Sequence, residues 1–172
     1  MAQWADFSRI PRQRNTEDRL RTALDLYPCD VLFVHRDAEA QPYGLRREEI
    51  ANALHRTRVR HIPVVPVRMT EAWLLADEIA IRHATGNPNG TENLSLPELR
   101  KLEDLHDPKK VLHDALTTAS GLNARRRSRL PVRQRVRLIP NYIDDYSRLN
   151  VRPAFRKLQE DIRAFIENRG HP

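Results

Sequence analysis

The chain has 172 residues, of which 40% are hydrophobic and 31% are charged. This length and composition fit one ordinary domain with a packed core and argue against wholesale disorder. The single cysteine, Cys29, excludes an internal disulfide framework and a zinc site built from several cysteines.

The charge and the apolar runs indicate which partners and which location to expect. The formal net charge is +7, and all but four of the 30 basic residues are arginine, whose planar guanidinium suits phosphate. Aromatic residues make up only 6%, so a stacking platform for single strands is poorly supplied. No apolar run approaches the ~18 residues of a membrane span, and the N-terminus lacks the apolar core of a signal peptide. We therefore expect a cytoplasmic protein with no membrane partner.

The first half of the chain predicts a strand, a helix and a second strand. A short helix, capped by Asn15 or Thr16, ends before Pro28. Residues 31–34 (VLFV) then have the β-branched and aromatic content of a strand buried on both faces. A helix over 46–58 and a strand over 61–69 complete a βαβ unit, in which the strands are parallel. Because Pro66 cannot donate to a ladder, the second strand is expected to be an edge strand or to be bulged there.

The second half of the chain is predicted to be helical. Helix signals lie over residues 71–84, 95–105 and 108–119, and from Pro153 onward. The fold class is therefore α/β, with a small, mostly parallel sheet, flanking helices and a helical, arginine-rich C-terminal part. Three segments follow from this pattern: a helical lead-in (1–27), an α/β core (28–121), and an arginine-rich segment with an amphipathic helix (122–172).

Two carboxylates follow the first predicted strand directly. Asp37 and Glu39 are two residues apart at a strand end, where ligands gather in open α/β sheets. Both can reach one hard cation such as Mg²⁺, which prefers oxygen ligands. The alternative interpretation is an ordinary polar loop with two acids.

Two further acids belong to the segment EAWLLAD. Glu71 also follows a strand end and is a candidate third carboxylate, although an acid at a helix N-terminus is stabilised by the helix dipole in any case. In a continuous helix over 71–84, Asp77 falls on an apolar sector. We therefore expect it to be buried and bonded to backbone donors or to an arginine such as Arg68 or Arg36, in a structural or supporting role.

The positive charge is concentrated in one short segment. Seven arginines without an intervening acid make up this run: Arg125, Arg126, Arg127, Arg129, Arg133, Arg135 and Arg137. Such a local excess is typical of a contact with a polyanion, and nucleic acid is the favoured partner. A solvated face, or a docking surface for an acidic protein, are the alternatives.

The segments HRDAEA, IPVVPVRMTEAWLLAD and NPNG resemble an uncharacterised bacterial family with a Toprim-like fold, over roughly residues 28–170. Members of that family have a strand ending in an acidic pair, a βαβ crossover and a Glu-Ala-Trp-Leu helix start. The resemblance implies an enzyme of nuclease type that uses Mg²⁺ or Mn²⁺, with Asp37 and Glu39 as the acidic pair, and sometimes an ATPase as partner. The chain departs from the family because no strand carrying a glutamate precedes Val31.

Two functions follow from these patterns. The first is metal-dependent phosphodiester chemistry, with Asp37, Glu39 and Glu71 as catalytic and metal-binding residues. Arg36, Arg68 and the arginines from Arg125 to Arg133 would hold the nucleic-acid backbone. The alternative is a catalytically degenerate module that binds nucleic acid or an ATPase partner. The sequence assigns no oligomeric state.

Overall fold

The computed structural model describes residues 3–8, 10, 15–39 and 41–168. Parts of the predicted lead-in (1–2, 9 and 11–14) and the end of the predicted C-terminal segment (169–172) lie outside the described residues. The protein is a mixed α/β structure that divides into two compact units, residues 1–65 with 158–172 and residues 66–157. The boundaries of these two units differ from those of the three predicted segments.

The first unit contains the sheet. In chain order its elements are α1 (Thr16–Leu26), β1 (Val31–His35), α2 (Tyr43–Leu54) and β2 (Arg60–Val64). The two strands pair in parallel, with Phe33 opposite Ile62, so the predicted crossover is confirmed. The side chain of Asn15 accepts a hydrogen bond from the N–H of Asp18 and caps α1. β2 ends before Pro66, which therefore does not interrupt the ladder.

The main core of the first unit lies on the face of the sheet that carries Val34. It contains residues from β1, from the two helices and from the segments that follow the strands: Leu20, Val34, Ala38, Ile50, Leu54 and Val65. The prediction that the first strand is buried on both faces is wrong, because Phe33 is 54% exposed. Alternate side chains of a strand point to opposite faces, so Val34 enters this core while Phe33 does not.

The second unit is helical. Its elements are α3 (Thr70–Leu74), α4 (Glu78–Thr85), a 3₁₀ helix (Leu99–Asp104), α5 (Pro108–Ala119), α6 (Ala124–Arg127), α7 (Val132–Leu138), two further 3₁₀ helices (Ile139–Tyr142 and Ser147–Val151), and the start of α8 (Pro153–Glu167). Leu75, Ile81, Leu112 and Leu116 are fully buried between these helices. None of the helices in the described part of the chain has the length and apolarity needed to cross a membrane.

The predicted helix over 71–84 is broken at Asp77. α3 ends at Leu74, and α4 begins at Glu78 with Asp77 as its N-cap. The Asp77 carboxylate accepts a hydrogen bond from the N–H of Ala80 at 2.9 Å. The expected backbone donor is therefore present, but Asp77 is only half-buried, since the wheel of a continuous helix does not apply to it. A carboxylate that caps a new helix competes with helix continuation at the same position.

Replacement of Asp77 with alanine removes this cap. We expect Asp77→Ala to lower the free energy of unfolding by about 1 kcal/mol, the usual value of an N-cap, and not by the larger amount typical of a broken buried ion pair. Asp77→Ser is the matched control, because its hydroxyl can also accept from the Ala80 N–H. Urea denaturation of the three proteins measures the difference. A decrease of more than about 3 kcal/mol in Asp77→Ala would contradict the capping role.

Candidate functional site

The loop after β1 holds the first two predicted site residues close together in sequence. Between Asp37 and Glu39 lies Ala38, which is fully buried in the core of the first unit and so anchors the loop. The Asp37 carboxylate lies 3.5 Å from the Nε2 atom of His35. Glu39 is exposed, and its Oε2 atom lies 3.8 Å from the guanidinium of Arg46. Both acids are thus next to basic side chains.

Glu39 has a backbone conformation that is uncommon for its residue type. Its φ angle is 52°, in the left-handed region that glycine and asparagine occupy readily. For other residues this conformation costs roughly 1–2 kcal/mol, and such strain clusters at functional sites. Glu39 is therefore held in a costly conformation beside Asp37.

An unpredicted carboxylate, Glu49, organises the basic residues near this loop. It lies on α2, where its carboxylate accepts hydrogen bonds from Thr16 and, at 2.7 Å, from Arg46. The Nε atom of Arg36 lies 3.6 Å from the same carboxylate. Burial raises the pKa of Glu49, but the hydrogen bonds from Thr16 and Arg46, with the charges of Arg36 and Arg46, outweigh it and hold the pKa below its ordinary value. Arg36, a predicted phosphate ligand, is thus already engaged by an acid.

The carboxylate oxygens of this loop are ligands of the type that divalent cations bind. Asp37 and Glu39 offer the carboxylate oxygens that Mg²⁺ prefers, although Glu39 faces Arg46. Across the described residues, no group of three or more histidine, cysteine, aspartate or glutamate side chains could hold a metal ion. Among the described residues, no third side chain of these types is therefore placed to complete a metal site with Asp37 and Glu39.

Two further predicted site residues, Arg68 and Glu71, belong to the second unit. Glu71 is half-buried in the first turn of α3, where the helix dipole stabilises its charge. Next to it, Trp73 is buried and packs edge-on against Phe155, with ring centroids 5.4 Å apart. The EAWLLAD motif thus contributes to the core of the second unit. Arg68 is half-buried in the segment before α3. The role of Glu71 as a third ligand stays a prediction.

The arginine-rich segment forms α6, the turn after it, and α7. Six of its arginines are exposed and are called the arginine surface below: Arg125, Arg126, Arg127, Arg129, Arg133 and Arg137. The seventh, Arg135, is half-buried and donates a hydrogen bond to the carbonyl oxygen of Ala84 at 3.2 Å. Among the residues that the structure describes, no carboxylate forms an ion pair with the arginine surface. Its positive charge is therefore open to a partner.

A groove of about 590 Å³ lies elsewhere in the first unit, between α2, β2 and α8. Within it, the guanidinium of Arg47 forms an ion pair with the Asp161 carboxylate at 2.6 Å. The guanidinium of Arg60 lies 4.5 Å from the ring centre of Phe165. Neither Asp37 nor Glu39 lines this groove. Two carboxylates, Glu48 and Asp161, line the groove beside Arg47 and Arg60, so the groove lacks the unbalanced positive charge of the arginine surface.

Comparison with known proteins finds no relative. No protein-family model matches the chain, and neither the curated proteins nor the solved structures include a similar one.

Glu49→Gln tests the charge balance beside the β1 loop. Glutamine would keep the shape of the side chain but remove the negative charge that Arg36 and Arg46 approach, so we expect a decrease of about 1–2 kcal/mol in the free energy of unfolding at pH 7. The pKa of Glu49 is lowered below its ordinary value of 4.5, so its contribution is present above that value and disappears as the pH falls through the folded pKa. Urea denaturation at several pH values shows whether the free energies of unfolding of wild type and Glu49→Gln become equal at acid pH. Glu48→Gln, an exposed neighbour on α2, should change stability by less than about 0.5 kcal/mol. A deficit that stays constant down to acid pH would contradict this role for Glu49.

Proposed function

We propose that this protein binds nucleic acid through the arginine surface. One observation carries the proposal: six exposed arginines lie together on α6, the following turn and α7, with no carboxylate among the described residues to neutralise them. The stretch between Asp114 and Asp144 contains no acidic residue at all. A concentrated positive charge of this kind attracts the regularly spaced phosphates of a nucleic acid.

The residue type supports a phosphate partner. A guanidinium presents a planar fork of donors that matches two phosphate oxygens at once, and it keeps its charge at every physiological pH. Asn123 caps α6 by accepting from the N–H of Arg126, which fixes the start of the segment without using an acid. Arg135 ties α7 to α4 through Ala84, so its neighbours on α7 project from an anchored helix. These features present the charge on a defined surface.

Metal-dependent phosphodiester cleavage, which the Toprim-like resemblance implies, is a second candidate function. The observation that favours it is the left-handed conformation of Glu39 beside Asp37, at the carboxyl end of β1. Asp37 and Glu39 would hold Mg²⁺ or Mn²⁺. A cation there would polarise a phosphate oxygen and acidify an attacking water. A protein without this activity would correspond to the alternative function, a catalytically degenerate module that binds nucleic acid or an ATPase partner.

A variant with a discharged arginine surface tests nucleic-acid binding. It replaces four arginines with glutamine: Arg125, Arg126, Arg127 and Arg129. We expect weaker binding to nucleic acid, and a slope of log K against log[salt] that is flatter by up to about 0.9 for each duplex phosphate that the variant no longer binds. Fluorescence anisotropy with a labelled oligonucleotide, measured over a series of salt concentrations without metal, gives both quantities.

A matched control removes the same charge elsewhere. It replaces four exposed cations outside the segment with glutamine: Arg56, Arg58, Lys109 and Arg163. This control should retain most of the affinity and nearly the full salt slope. Equal weakening in both variants would mean that net charge alone attracts the strand. No binding of wild type at low salt would overturn the proposal and favour an acidic protein as the partner of the surface.

Asp37→Asn tests the second candidate. Asparagine keeps the shape of the side chain but removes the charge that a hard cation requires, so any cleavage should disappear while metal-free binding is retained. Asp30→Asn, which removes one exposed charge just before β1, is the control and should cleave like wild type. Gel assays with and without Mg²⁺ or Mn²⁺ report cleavage. Cleavage that persists in Asp37→Asn would show that this residue is not part of the proposed site. Absence of metal-dependent cleavage by wild type would contradict the second candidate function and favour the binding module.

A further inference from the structure

Two exposed rings form a stacked pair in the second unit. His83 on α4 and Tyr142 at the end of the 3₁₀ helix Ile139–Tyr142 have ring centroids 5.4 Å apart and ring planes inclined by 26°. Tyr142 is 40% exposed, and His83 is exposed as well. Both rings are thus partly open to solvent, and an exposed aromatic ring can take a further stacked ring.

This pair lies next to the arginine surface. The 3₁₀ helix that carries Tyr142 continues directly from α7, which carries Arg133 and Arg137. α7 and this 3₁₀ helix both pack against α4. The hydrogen bond from Arg135 reaches Ala84, the residue after His83. Tyr142 therefore follows the arginine surface directly along the chain, five residues after Arg137.

We propose that this surface takes a single-stranded nucleic acid, with one unpaired base stacked on the His83–Tyr142 pair. The inference rests on the proposed nucleic-acid function and names its substrate class. The arginines bind phosphates of either a duplex or a single strand, but the bases of a duplex are already stacked on one another. An exposed aromatic ring gains a base–ring contact only from an unpaired base.

The experiment compares a single strand with a duplex of the same length, at fixed low salt and without metal. We expect Tyr142→Leu to weaken binding of the single strand by roughly 5- to 150-fold, the range for removal of one base–ring stack, and to leave duplex binding unchanged. Tyr142→Phe keeps the ring and should bind like wild type. Single-stranded DNA and RNA of one sequence are both offered, and the weakening in Tyr142→Leu should occur with whichever of them binds.

Tyr146→Leu is the matched control. Tyr146 is also 40% exposed, but it stacks on Phe155, with ring centroids 6.2 Å apart, away from α7 in sequence. Its replacement should leave the ratio of single-strand to duplex affinity unchanged, and a thermal melt of each variant verifies folding.

The outcomes separate this inference from the proposed function. If the variant with four glutamines loses affinity for both substrates while Tyr142→Leu changes neither, the arginine surface binds nucleic acid but the base-stacking site is refuted. Equal weakening of single-strand and duplex binding in Tyr142→Leu also refutes it, because removal of the stack affects only an unpaired base. If wild type binds neither substrate at low salt, the nucleic-acid function itself fails.

Discussion

The fixed position of α4 is the constraint on which the proposed nucleic-acid site depends. Arg82 is buried in this helix, and its guanidinium donates to the Glu78 carboxylate and to the Glu92 carbonyl oxygen, each at 2.6 Å. The bond to Glu92 leaves the helix, and because a buried charge that loses a partner is costly, this bond opposes a rotation or shift of α4. The next two residues, His83 and Ala84, carry the ring and the carbonyl oxygen that seat the 3₁₀ helix and α7. The position of α7 is therefore tied to a helix that is held by a buried arginine, Arg82, which lies outside the proposed contact.

Arginine has two different roles in the two units. Beside the β1 loop, Arg36 and Arg46 approach the Glu49 carboxylate, and Arg46 also faces Glu39. Their charge is largely balanced within the protein, so a phosphate gains little there. Among the described residues, no acid forms an ion pair with the exposed arginines on α6 and α7, so solvent ions balance their charge. Release of those ions to solution makes binding to a polyanion favourable, which is why the surface and not the loop is the stronger nucleic-acid candidate.

The features that were predicted correctly are those whose partners lie close in sequence. Asn15 caps α1 through an N–H three residues away, and the βαβ crossover follows from the order of its elements. Asp77 was misplaced because helical periodicity extends through it, although a capping carboxylate ends one helix and begins another. Glu49 looks like any acid on a helix until the fold brings Thr16 and two arginines to it. A low aromatic content predicts few stacking platforms, but composition does not reveal that the fold places His83 on Tyr142. The Toprim-like interpretation and the metal site stay predictions.

The confinement of charge to one segment has a consequence for the colloidal behaviour of the protein. The arginine-rich segment holds seven of the 30 basic residues, and the remaining ones equal the 23 acidic residues in number. Free copies therefore repel one another almost entirely through this segment, and that repulsion favours their solubility. Once phosphates neutralise it, the rest of each copy carries no net charge near neutral pH. Copies bound side by side in the proposed way would no longer repel one another through this segment.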